Sequence, residues 1–90
     1  MLFIACEKFK TAGAKDVYRR SRDKGRMLPN GLKFVSSWVD LEFTQCFQIM
    51  ETDDPYLLSQ WTDQWKDIVE FEIIAIRTSV EAMAVIQPTL

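Results

Sequence analysis

The chain of 90 residues contains no histidine. Without imidazole there is no proximal haem histidine, no histidine general base and no histidine-containing zinc site. Cysteine is nearly as scarce: Cys6 and Cys46 stand far apart, with no CxxC spacing. Both fall in predicted strands, where a buried free thiol behaves as a small hydrophobe, and nothing marks an oxidising compartment. No apolar run approaches the ~20 residues that span a bilayer, so no membrane partner is expected. The opening MLFIACEKFK lacks a basic n-region and carries an apolar run of only six residues. It does not read as a secretory signal, and the expected location is cytoplasmic.

What is present is ordinary for a globular protein. Apolar residues make up 48% and charged residues 27%, which argues against disorder. The length suits one domain over residues 1–90, and a chain this short buries only roughly 60–65% of its unfolded surface. It therefore gains much from a partner.

Alternating apolar positions predict a strand over residues 1–9, and a helix follows from about Ala14 to Lys24, with Gly25 placed as its left-handed C′ residue. Lys10 to Gly13 reads as a loop and Pro29-Asn30-Gly31 as a turn. Strands are predicted over Leu32–Asp40 and Thr44–Thr52, joined by a loop with no glycine or asparagine to supply a positive φ. A loop longer than a tight two-residue turn is therefore expected, and Leu41 and Phe43 would stand exposed at its tip unless something docks on them. Asp54-Pro55 starts a second helix, with Asp at the N-cap and Pro at N1, running to about Lys66. A last strand over Val69–Arg77 and a capping-box pattern at Thr78-Ser79-Val80-Glu81, opening a tail helix over about 79–86, complete the set.

The order β-α-β-β-α-β, with short right-handed connections, defines a ferredoxin-like α+β sandwich: an antiparallel sheet of order 4-1-3-2 with both helices on one face. Leu2, Ile4, Phe34, Phe47, Ile49, Phe71 and Ile73 are expected beneath the helices. The opposite face would then show Phe3, Ala5, Val35, Val39, Cys46, Met50, Ile74 and Ile76, interspersed with Glu7, Lys33, Ser37, Gln48, Glu70 and Glu72. That face is too apolar for water, and its simplest cover is a second copy in a two-fold homodimer.

GRMLPNGL (25–32), SWVD (37–40), CFQIMETDDP (46–55), the two tryptophans of the second helix and VEFE (69–72) together resemble a small bacterial family of unknown function. That family is placed among the dimeric α/β-barrel proteins, and the resemblance covers about residues 1–80. It implies a ferredoxin-like protomer whose sheet pairs face to face with a partner into a barrel. Members of that superfamily include cofactor-free monooxygenases, isomerases, haem-handling enzymes and proteins without known activity.

Glu7 is the sharpest candidate for chemistry. It lies in a predicted central strand pointing into the proposed interior, where desolvation raises a carboxyl pKa and makes a general base. Gln48, on the neighbouring strand, is placed to orient a ligand carbonyl, with Ser37 and Glu72 as peripheral substrate-binding members. The plainer reading is that these groups satisfy one another or water across the dimer. Trp61 and Trp65, one turn apart, read as helix-to-sheet packing. Trp38 falls on the helix-facing parity. Met27 and Met50 read as core filler, and no metal or cofactor is expected.

Residues 8–33 hold nine of the eleven Lys and Arg, against a net charge of −2. A helix this basic reads as a solvated face pairing with the acidic second helix, and no nucleic acid is expected. An RNA-recognition module would want a basic-aromatic third strand, which TQCFQIME lacks. A metal-carrying domain of this topology would need CxxC in the first loop, and an acyl-phosphate hydrolase an arginine there; Lys10-Thr11-Ala12-Gly13 has neither. The residues point to a homodimer binding a small organic molecule in a barrel cavity. The alternatives are a cofactor-free monooxygenase- or isomerase-like enzyme with Glu7 as base, and a structural or regulatory dimer without a ligand.

Overall fold

Burial along the first strand sets the orientation of the sheet. The structure, a computed structural model, describes residues 1–10 and 13–90. Strand β1 (Leu2–Phe9) buries Phe3, Ala5 and Glu7, while Leu2, Ile4 and Cys6 on its other face are half-buried. Helix α1 (Gly13–Lys24) follows, and the loop expected from Lys10 to Gly13 includes residues 11 and 12, outside the described residues. Gly25 closes α1 at φ +66, as its left-handed C′ residue should.

β2 (Lys33–Val39) and β3 (Gln45–Glu51) form the hairpin, α2 (Tyr56–Asp63) crosses back and β4 (Val69–Ile76) completes the sheet. The order is β2-β3-β1-β4, antiparallel throughout. This is the expected ferredoxin-like α+β sandwich. Val17 of α1 and Leu58 and Trp61 of α2 pack in one core with Phe3, Ala5, Met50 and Val69, so both helices cover the same face.

That face is not the expected one on the two central strands. Phe3 and Ala5 pair across with Met50 and Gln48 on one side and with Ala75 and Ile73 on the other. Paired residues share a face, so these sit under the helices with Phe71 and Ile73. Leu2, Ile4, Phe47 and Ile49 face away. Of the residues expected on the open face, Ile74, Ile76, the bulged Val35 and the charged Lys33, Glu70 and Glu72 stand clear of the core, whereas Phe3, Ala5, Cys46 and Met50 are buried. The cause is packing. Both faces of β1 are apolar, so alternation cannot choose between them, whereas the indoles of Trp61 on α2 and Trp65 just after it pack in one core with Ala5.

β2 adds a second departure. Phe34 pairs with Met50, but Ser36 pairs with Ile49 and Ser37 with Gln48, which leaves Val35 as an unpaired bulge residue. One extra residue reverses the alternation beyond it. Ser37 and Val39 therefore face the helices, and Trp38 is turned to the open face, 67% exposed, against its expected side.

The helix ends follow local chemistry. Asp54 Oδ1 accepts from the Tyr56 N–H at 3.0 Å and so caps the first turn of α2. α2 ends at Asp63, three residues before the expected Lys66, because the chain tightens into turns in which Trp65 N–H donates to Thr62 O. The hairpin loop is long, as expected. Asp40 accepts from Thr44 N, Thr44 Oγ1 and Gln45 N, and Phe43 takes φ +59. In the tail helix α3 (Ser79–Ile86), the capping box forms: Glu81 N–H donates to Thr78 Oγ1 and Thr78 N–H to Glu81 Oε1. Every residue of α3 is exposed.

Candidate functional site

Glu7 enters the interior because it continues the buried parity of Phe3 and Ala5 on a central strand. Its neighbour in register is Cys46 on β3, and Gln48 lies two residues along on the same face. Gln48 Nε2 donates to Glu7 Oε2 at 2.8 Å, both side chains buried. Ser37 reaches the same place by the bulge in β2.

Arg26 closes the group, a residue that strand alternation could not have found because it lies in the connection after α1. Its Nε donates to Gln48 Oε1 at 3.1 Å and its Nη2 to Ser37 Oγ at 3.3 Å, while the guanidinium lies 3.7 Å over the Phe34 ring. Its backbone carbonyl accepts from the indole N–H of both Trp61 and Trp65, each at 3.1 Å. The two tryptophans are packing residues, as expected, and they also pin the residue that carries the charge. The signal in the sequence was GRM after the helix: a basic residue directly behind a C-cap glycine.

These groups line a cavity of about 90 Å³ between sheet and helices, together with Tyr18, Cys46, Val39 and the two indoles. In liquid volume that is room for about three waters. Tyr18 stands at its exposed side, and Phe43 from the hairpin loop meets the Tyr18 ring edge-on, centroids 6.2 Å apart. The exposed tip thus docks on α1 beside the cavity, while Leu41 remains 97% exposed.

Burial dominates the electrostatics. Desolvation raises the Glu7 pKa from 4.5 to about 7, opposed by its hydrogen bonds with Gln48 and Cys46 and by the charge of Arg26. The Cys46 thiol is pushed to about 12, first by desolvation and then by Glu7. Such a thiol is a weak donor to the carboxyl and no nucleophile at neutral pH. Both cysteines are free.

Of the four sequence-predicted polar residues, Glu7, Gln48 and Ser37 come together. Glu72 does not: it pairs with Cys6 and is exposed on the opposite face. Among the described residues no group of three or more His, Cys, Asp or Glu side chains is gathered to hold a metal. Among the described residues, three of the nine basic side chains of residues 8–33 form surface ion pairs: Arg19 with Asp16, Arg20 with Asp67 and Arg22 with Asp23. Arg20 donates twice to Asp67 just beyond α2, at 2.8 and 2.7 Å, and this holds the Asp67 pKa down at about 2. Among the described residues no helix is long and apolar enough to cross a membrane.

Fold and site define a ferredoxin-like α+β domain with a small cavity between its sheet and its own helices. The family model described as "Domain of unknown function (DUF3303)" matches residues 1–90, and the chain belongs to that family. No curated protein and no solved structure matches it.

Proposed function

We propose that this chain is a cytosolic homodimer in which each protomer binds a small organic molecule in the cavity at Glu7. The observation carrying this reading is the chain from the half-buried Arg26 to the buried Gln48 and Glu7, laid along one wall of a cavity that reaches the exposed Tyr18 ring. Polar groups so costly to desolvate are arranged on an otherwise apolar wall, the usual composition of a ligand site. Gln48 and Ser37 orient the ligand. Glu72, on the other face, has no part in it.

The homodimer is supported by the open sheet face. Leu2, Ile4, Phe47, Ile49, Ile74 and Ile76 lie there with Trp38, a patch too apolar to face water alone. Sheet-to-sheet pairing with a second copy covers it and yields a barrel. The residues are the reverse of those expected on β1 and β3, and the cavity therefore belongs to the protomer instead of lying between two protomers.

The Glu7 pKa favours a second reading, a cofactor-free proton-transfer or oxygenation enzyme with Glu7 as base, since a carboxyl near 7 sits at the working optimum for general-base chemistry. One experiment tests the cavity for both readings. A panel of small organic acids, amides and phenols is screened for a rise in melting temperature, with wild type beside Val39→Trp, which fills the cavity. A ligand at about 100 times its dissociation constant stabilises by about 2.7 kcal/mol. We expect a rise in wild type that the filled variant loses. A panel without effect on a well-folded dimer points instead to the structural dimer without a ligand.

A further inference from the structure

The hydrogen-bonding capacity left over in the cavity has a definite chemistry. Gln48 is held between its neighbours, its amide donating one of its two N–H groups to Glu7 and its carbonyl accepting from Arg26, which leaves its second N–H as a further donor. The Glu7 carboxyl receives Gln48 and the Cys46 thiol. Among the described residues, Arg26 Nη1 donates to nothing, and Ser37 Oγ accepts from Arg26 Nη2 with its own proton unassigned to any partner. What the wall offers a ligand is therefore donors, centred on a guanidinium. A guanidinium presents a planar fork that matches the two oxygens of a carboxylate.

Charge sharpens this. The titratable and charged groups facing Glu7 are Cys46 from β3, Tyr18 from α1 and Arg26 from the connection after α1; Gln48, Ser37 and the β4 neighbour Phe71 are neutral. Burial holds both the thiol and the phenol toward their neutral forms. The net charge of the cavity is thus set by two groups alone. With Glu7 neutral it is positive by one, and with Glu7 ionised it is zero and presents a second anion to any incoming one.

We propose that the cavity takes a small monocarboxylate anion, its carboxylate on Arg26 and Ser37, and that Glu7 takes up one proton as the anion enters. The volume of about 90 Å³ is smaller than the ~150 Å³ of an engineered cavity that takes benzene, so the ligand is small. The proposal rests on reading the cavity as a ligand site and adds the ligand's charge and the proton that accompanies it. The proton comes from solvent and resides on a Glu7 carboxyl oxygen; no bond in the ligand changes.

The test is calorimetric titration of the full-length protein with sodium propionate and, separately, with propionamide, at about pH 6 and about pH 8. Propionate should bind more tightly at about pH 6, where Glu7 already holds most of its proton and little is taken up, and binding at about pH 8 should take up close to one proton, read from buffers of different ionisation heat. Its affinity should fall about tenfold per pH unit above the Glu7 midpoint, and propionamide should bind far more weakly. Glu7→Gln, fixed in the neutral state, should bind propionate equally at both pH values. Arg26→Gln, which leaves intact the backbone carbonyl that anchors Trp61 and Trp65, should lose it. Propionate binding that ignores pH in wild type overturns the proposal, and so does no propionate binding at the lower pH. Propionamide binding as well as propionate overturns the anion claim and leaves the cavity a ligand site, while silence from both probes in a protein that also fails the melting screen removes the site itself.

Discussion

Glu7 is where the protein departs furthest from ordinary packing. A carboxyl 5% exposed on a central strand carries a pKa of about 7 against 4.5 in water, with desolvation the first cause. The folded state then holds a proton between those values that the unfolded chain has released, so stability falls as pH rises through that window. Below 4.5 both states are protonated and Glu7 costs nothing; above 7 the cost is complete, on the order of 3 kcal/mol at about 1.4 kcal/mol per pKa unit. Glu7→Gln should match wild type in urea unfolding near pH 4 and exceed its stability by roughly 2–3 kcal/mol near pH 8. Equal stabilities at both would show that the carboxyl is solvated. Glu7, Gln48 and Ser37 were legible as a set from the sequence, because all three are polar residues in apolar strands. Arg26 was not, since no periodicity reaches into a connection.

At the level of elements, the strands and helices follow from alternation and from their caps: Gly25 behind α1, Asp54 before α2, and the Thr78–Glu81 box of α3. Alternation says which residues share a face but not which face the helices take. With Leu2 and Ile4 on one side of β1 and Phe3 and Ala5 on the other, the choice rested on the size of Trp61 and Trp65, a tertiary property. The bulge at Val35 was equally silent, because no glycine marks it. Turns carry sharper local demands. Gly31 sits at φ +98, and a Cβ there would come within 3.0 Å of Leu57 Cδ1. Gly31→Ala should therefore cost about 1–2 kcal/mol in denaturant unfolding. A neutral result would mean that the turn between α1 and β2 relaxes without disturbing α2.

For the whole molecule, the inverted sheet separates two matters that strand parity alone had joined. The cavity lies beneath the protein's own helices, and the proposed dimer surface is the other side of the sheet. Adjacent residues of β1 should then behave oppositely. Ile4→Lys should leave a folded chain that light scattering finds as a monomer, whereas Phe3→Lys, at a site 6% exposed in the core, should unfold it. A dimer that survives Ile4→Lys would place the interface elsewhere, with the exposed α3 the next surface to alter. The proposed ligand binding does not depend on that outcome. It depends on an enclosed carboxyl within reach of a guanidinium, and the titration of the Glu7 carboxyl carbon by NMR in the full-length protein reads this most directly. The account predicts a midpoint near 7, well above the 4.5 of a solvated glutamate. A midpoint at 4.5 would mean that water reaches Glu7 freely, and the desolvated site described here would not exist.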